Sequence, residues 1–224
     1  MTSLGMLQLV SPALPVGSFS YSEGLEWLIQ TGKISNEYAM LDWLEAELLR
    51  GQLRIEAAAL TPTKEALKNW KASKSQQEKH IVNDWNNWLL ALRDAKTVRS
   101  QQIQMGKSLM QLLHDLGYPS PDQSKDFCWP VAWAWAGLEW RLTTLEVIEG
   151  YLYSWVANQL SAAVRLVPIG PTKAQSLQCR LLPLITKQAE LLQNENPRQL
   201  WTGDVGATFA QLSHAELYSR LFRS

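Results

Sequence analysis

Apolar residues recur at three- and four-residue spacing along almost the whole chain, and this period constrains the fold more than any other feature. The densest run holds Leu145, Ile148, Leu152, Trp155, Val156, Leu160, Ala163, Val164 and Val167. On a helix these positions make one broad stripe, so the segment is expected to be the central helix of a bundle. At ~1.5 Å per residue it would run roughly 35 Å. Thr143 and Glu146 have the spacing of a capping box at its start, and Pro168 is expected to stop it. A second stripe joins Ile34, Tyr38, Leu41, Leu44 and Leu48, with Ser35 as the expected N-cap and Gly51 past the last turn. Thr61-Pro62 reads as an N-cap followed by proline at the first helical position. A helix should end near Leu116, because Gly117 can turn left-handed and Pro119 and Pro121 follow. No sustained period-two alternation marks a strand. The expectation is a single all-α domain spanning residues 1–224, a helical bundle of about eight to ten helices.

Composition removes several classes of function. Lysine plus arginine number 21, and so do aspartate plus glutamate, so no overall field draws the chain to nucleic acid or an anionic membrane. Lys64, Lys68, Lys71 and Lys74 recur near helical spacing, as a solvated basic face or as a surface for an acidic partner. No apolar run approaches the ~18 residues of a membrane span. The apolar segment 4–10 lacks a basic flank, the first positive side chain being Lys33. Cys128 and Cys179, far apart, read as buried free thiols in a reducing compartment, and a cytoplasmic location is expected. Most of the 11 tryptophans are expected in the core, with Trp129, Trp133 and Trp140 on one helical face and Trp135 on another. An exposed aromatic patch for self-association is the other use of such residues.

The chemistry of a catalytic or metal centre is sparse. His80, His114 and His214 have no histidine or cysteine at ligand spacing, and no Cys-x-x-Cys, His-x-His, His-Glu-x-x-His or Glu-x-x-His pattern occurs. No directly bound metal or cofactor is expected. Gly106-Lys107-Ser108 resembles the end of a phosphate loop, but that pattern needs glycine where Gln101 stands and a preceding strand, so the triplet reads as helix. Ser18, Ser20 and Ser22 carry no nucleophile motif. His214 and Glu216 are the one acid–base pair available to an alternative reading, an all-α enzyme with a Trp-lined pocket.

The two ends of the chain are of a different character. Residues 11–22 contain Pro12, Pro15 and Gly17, which remove donors, fix φ and permit positive φ, so this stretch is a shaped loop between helices. Phe19 either staples that loop to the core or is presented to a partner. Glu23 and Glu26 open the next helix, where they favour its dipole or meet a basic partner. Residues 218–224 contain Tyr218, Arg220, Leu221, Phe222 and Arg223. Leu221 and Phe222 are costly to leave in water, and Arg220 and Arg223 are costly to bury unpaired. The combination suits an ordered contact with another subunit or partner; packing back on its own subunit is the alternative.

Four segments carry a resemblance. They are Leu7-Gln8-Leu9-Val10-Ser11-Pro12-Ala13-Leu14-Pro15-Val16-Gly17-Ser18-Phe19-Ser20-Tyr21-Ser22-Glu23-Gly24-Leu25-Glu26, Gln104-Met105-Gly106-Lys107-Ser108-Leu109, Leu160-Ser161-Ala162-Ala163-Val164-Arg165-Leu166-Val167-Pro168-Ile169-Gly170, and Leu217-Tyr218-Ser219-Arg220-Leu221-Phe222-Arg223-Ser224. Together they make the chain resemble the urease accessory protein F (UreF) family, from about residue 4 to the last. The resemblance implies a helical, cytoplasmic homodimer that is not itself an enzyme. It implies binding to a second accessory protein, named D or H, and recruitment of the urease accessory GTPase to apo-urease. Nickel and GTP would be handled by the partners, and GTP hydrolysis coupled to nickel delivery. Pro15, Gly17 and Phe19 match the family's N-terminal loop; Tyr218, Arg220, Leu221 and Phe222 match its C-terminal pattern, with Phe19 and Arg220 at positions associated with GTPase recruitment, and Arg223 is expected to bind a partner with them. Cys128 stands where histidine is common, Thr97 where glutamate is common, and Pro171 and Ala174 where glutamine and glycine are usual.

Overall fold

The capping box forms as expected. Thr143 Oγ1 accepts from the Glu146 N–H at 3.2 Å while Glu146 Oε2 accepts from the Thr143 N–H at 2.8 Å, and the helix it opens, α8, runs Thr144–Leu166. The computed structural model describes residues 4–120, 122, 126–167 and 169–224. Among these residues there are ten α-helices and no strand. Before α8 come α1 (Leu4–Leu9), α2 (Leu25–Gln30), α3 (Glu37–Arg50), α4 (Gln52–Ser73), α5 (Gln76–Ala91), α6 (Lys96–Asp115) and α7 (Trp129–Glu139); after it come α9 (Pro171–Leu192) and α10 (Val205–Ser213). Short 3-10 turns lie at Ser18–Ser20, Pro197–Gln199 and His214–Glu216. Pro168, expected to end α8, and Pro121 lie outside the described residues. The helix ending near Leu116 is α6, and Gly117 follows it at φ +87°.

The centre of the bundle is shared rather than given to α8 alone. α8 packs on α9 and α4, but α7, which packs against both α4 and α6, is the more enclosed helix. Every residue from 130 to 137 is buried, as a helix apolar on all sides requires. Trp133 and Trp135 are both in the core, and each indole finds an acceptor: Trp133 Nε1 donates to the Val147 carbonyl at 2.9 Å and Trp135 Nε1 to that of Tyr118 at 3.3 Å. Trp201 is the exposed tryptophan.

Three local expectations are corrected. Asn36, not Ser35, caps α3, its Oδ1 accepting from the Tyr38 and Ala39 N–H groups at 3.0 Å. Pro62 does not open a helix but lies inside α4. A proline in a helix interior costs ~3 kcal/mol, yet Leu53, Ile55, Ala57, Ala58, Ala59 and Leu60 before it and Leu67 after it are all core residues. Burying apolar side chains on all sides of this half of the helix outweighs the lost bond. Thr61 Oγ1 donates instead to the Gln193 carbonyl at 3.2 Å. The third correction concerns the thiols: Cys128 is buried but Cys179 is exposed, and both are free.

Of the four lysines of the expected basic face, Lys64 and Lys71 reach the turn between α7 and α8, while Lys68 pairs with Glu65 of its own helix and Lys74 is exposed. Lys71 pairs with Glu139 at 2.6 Å and Lys64 Nζ donates to the Leu142 carbonyl. Gly106-Lys107-Ser108 lies within α6, with Gly106 buried. No described helix is long and apolar enough to cross a membrane.

Candidate functional site: the two chain ends joined

The terminal segments, more than two hundred positions apart, meet on one face of the bundle. The Ser224 main-chain oxygen accepts from the Ser22 N–H at 2.8 Å, the Glu23 N–H at 3.0 Å and Ser22 Oγ at 2.7 Å. The Arg223 N–H donates to the Ser20 carbonyl at 2.9 Å. Gln101 on α6 completes the seat: its Oε1 accepts from Ser224 Oγ at 2.5 Å and its Nε2 donates to Glu23 Oε1 at 2.7 Å. The other oxygen of Glu23 accepts from Trp155 Nε1 of α8 at 3.1 Å.

Glu26 is the second anchor. It stands in the first turn of α2, almost wholly buried. Its Oε1 accepts from the Leu221 N–H at 2.7 Å; its Oε2 accepts from the Phe222 N–H at 3.1 Å and from His214 Nε2 at 2.9 Å. Burial alone would push this carboxyl up, but the Leu221 N–H, the His214 side chain and the Phe222 N–H together hold it below its ordinary value. The acid read as a helix-dipole partner thus binds the main chain of the tail. Gly24 makes the crossing possible: it sits at φ +88°, and a Cβ there would meet Gln211 N of α10 at 2.8 Å.

Arg165 of α8 ties the halves together. Its Nη1 donates to the Phe19 carbonyl at 3.0 Å, and its guanidinium lies 4.5 Å from the centre of the Phe222 ring. The Tyr21 carbonyl accepts from Asn158 Nδ2 at 3.3 Å.

Of the residues expected to meet a partner, the structure brings both groups to this face but turns them differently. Gly17, at φ +74°, precedes the 3-10 turn, and Pro15 is exposed beside it. Phe19 is not a staple: its side chain is 65% exposed while its carbonyl is held. Tyr218, Arg220 and Arg223 are exposed and Leu221 is 54% exposed. Phe222 is the exception, 4% exposed and part of its own core. The tail therefore packs on its own subunit through Phe222, Ser224 and its main chain, and points Tyr218, Arg220, Leu221 and Arg223 outward.

His214 is fully buried with Nε2 committed to Glu26, while Glu216 is exposed. The acid–base pair considered for an enzyme is thus not presented to a substrate. No group of three or more His, Cys, Asp or Glu side chains placed to hold a metal occurs among the described residues. Cys128 lies in the core, and burial pushes its thiol up to about 12, so it is an inert apolar side chain.

Sequence reasoning did not find Glu26, Gln101, Arg165 or His214 as the frame of this face. Each bond joins residues far apart in the chain, which no local spacing rule reports.

Relatives share nearly the full length. The family model UreF matches residues 34–182, which leaves both joined ends outside its span. A curated protein of Prochlorococcus marinus subsp. pastoris, urease accessory protein UreF, is 38% identical over 218 residues, covering 96% of this chain and 96% of its own. Proteins of the same name from Microcystis aeruginosa and Trichormus variabilis are 39% and 36% identical, covering 99% of this chain and 97% and 95% of their own. With the helical bundle and matches over nearly its entire length, the chain belongs to the UreF family of urease accessory proteins.

Proposed function

We propose that this protein is a non-catalytic assembly subunit of urease maturation, and that the joined-ends face is its docking surface. On this reading it binds the D/H-type accessory protein and recruits the accessory GTPase to apo-urease. Nickel is the cargo, carried with GTP by the partners, and this subunit couples GTP hydrolysis to delivery. It acts in the cytoplasm as a homodimer, without nucleic acid or membrane and with no cofactor of its own.

One observation carries the reading: the tail's main chain is held by Glu26, Ser22 and Ser20 while Phe19, Tyr218, Arg220 and Leu221 stay outside. Aromatic residues and arginine dominate binding hot spots. Fixing their backbone in advance lowers the ordering cost of association. The test is reconstitution of urease from apo-urease, the D-type protein, the GTPase, nickel, bicarbonate and GTP, with and without this chain. Urease activity that requires this chain supports the reading. Equal activity in its absence, with partners shown competent alongside another family member, overturns it.

A further inference from the structure

Two acids not used by the docking face meet where α3 turns into α4. Glu47 is in the last turn of α3 and Asp204 is the N-cap residue of α10; each is 8% exposed. Both line one cavity, and two carboxylates have no donor between them, so a direct bond between these acids needs a proton held by the pair. Asp204 Oδ1 is buried with no hydrogen-bond partner, and its Oδ2 accepts only a long bond, 3.4 Å, from the Gln52 N–H. No cation pairs directly with either acid among the described residues.

The pair sits between two spaces. Outward it lines a cavity of about 250 Å³ walled by Leu28, Trp43, Ala46 and Ala207, with Arg50 at its edge. Inward, Glu47 faces a smaller enclosed space bordered by Glu23, Arg93 and Gln211. The charged groups that bear on it are Arg93, which is committed to Glu56 at 2.6 Å, together with Glu23, Glu56 and Arg50. Negative charge predominates, so a second ionisation there has little to offset it.

The location gives the pair something to control. Gly203 N–H donates to the Arg50 carbonyl at 2.9 Å and Thr202 Oγ1 to the same oxygen at 3.1 Å, so residues 202–204 are clipped to the α3–α4 corner. From there α10 leads to His214, whose imidazole holds Glu26 and with it the tail. Gly51 belongs to the same joint: its Cα lies against Glu47, and a Cβ there would collide with Glu47 Oε2.

We propose that the Glu47–Asp204 carboxyl pair is a proton-operated latch: its shared proton holds α10 on the α3–α4 corner, and losing that proton loosens α10 and the tail it carries. Burial first, then the neighbouring Asp204 charge, pushes Glu47 up to about 8, and burial pushes Asp204 up to about 6. The latch therefore works on the alkaline side of neutrality, where the second carboxyl ionises.

The test is hydrogen exchange of residues 205–222 in the full chain, comparing wild type with Glu47→Gln at about pH 6 and about pH 8.5. The amide of Gln at 47 donates to Asp204 at every pH and stands for the closed latch. The expected result is equal protection at the lower pH and, at the higher, exchange about tenfold faster in wild type than in the variant. A wild-type-to-variant ratio that does not change with pH overturns the proposal. Asp204→Asn serves as a second closed variant should Glu47→Gln fail to fold. Independently, carbon NMR of the Glu47 side chain must show a titration well above 4.5; an ordinary value overturns the proposal without recourse to any variant.

Discussion

Arg220 and Phe222 stand two positions apart and are placed oppositely, one in solvent and the other in the core. Phe222 is buried beneath Arg165, so Phe222→Ala leaves a cavity and should cost about 3–5 kcal/mol in denaturant unfolding. It should also weaken partner binding, because the tail loses its seat. Arg220 is exposed, and Arg220→Ala should leave stability within about 0.5 kcal/mol of wild type. It should nonetheless lose about 2 kcal/mol of affinity in calorimetry with the assembled partners if the face is the docking surface. Wild-type affinity in that variant would remove Arg220 from the interface. The composition of the tail was legible as a mixture that must be both buried and paired. Which residue does which was not, since that depends on Glu26 and Arg165, whose contacts cross the length of the chain. His214 illustrates the same limit: its partner is Glu26, 188 positions away, not the nearby Glu216.

At the level of elements, the contact of α2 with α10 rests on Gly24. An L-residue at φ +88° is strained, and its Cβ would lie 2.8 Å from Gln211 N and 2.9 Å from the Ala210 carbonyl carbon. Gly24→Ala should therefore cost about 3 kcal/mol, from backbone strain plus overpacking. Gly17 is the control: it has φ +74° but nothing within 4 Å of the added atom, so Gly17→Ala should cost only the strain, about 1–2 kcal/mol. Thermal unfolding of the two variants decides; equal losses would mean that close approach at Gly24 does not matter. Helix existence was readable where signals were local, as at the Thr143–Glu146 box and at Gly117. It failed at Pro62, where burial on both sides of the proline overrode a valid start signal. The enclosure of α7 by α4 and α6 was equally out of reach, because an apolar helix of eleven residues does not say which neighbours surround it. The shaped loop at 11–22 was recognised from its prolines and glycine, but its junction with the tail was not, because main-chain bonds leave no side-chain signature.

For the molecule as a whole, buried acids of two kinds set opposite limits on stability. Glu26 has its folded pKa below the ordinary 4.5. Its contribution is complete above that value and is lost as pH falls through the folded pKa, when the tail's N–H groups lose a charged acceptor. Glu47 and Asp204 are shifted the other way, from 4.5 to about 8 and from 3.8 to about 6. The folded state holds protons there that the unfolded chain has already released, so their contribution is full at acid pH and falls as pH rises toward 8. Stability should therefore peak between the two limbs, not rise steadily to either side. Urea unfolding at fixed ionic strength, from about pH 4 to about pH 9, should trace that peak. Glu26→Gln should flatten the acid limb and lower the curve near neutrality. Glu47→Gln should flatten the alkaline limb and exceed wild type at its far end, since an amide there never ionises. A Glu47→Gln curve parallel to wild type above neutrality would mean that the corner of α3 and α4 carries no proton-linked strain, and the alkaline limb would then belong to Glu56, whose carboxyl burial also raises.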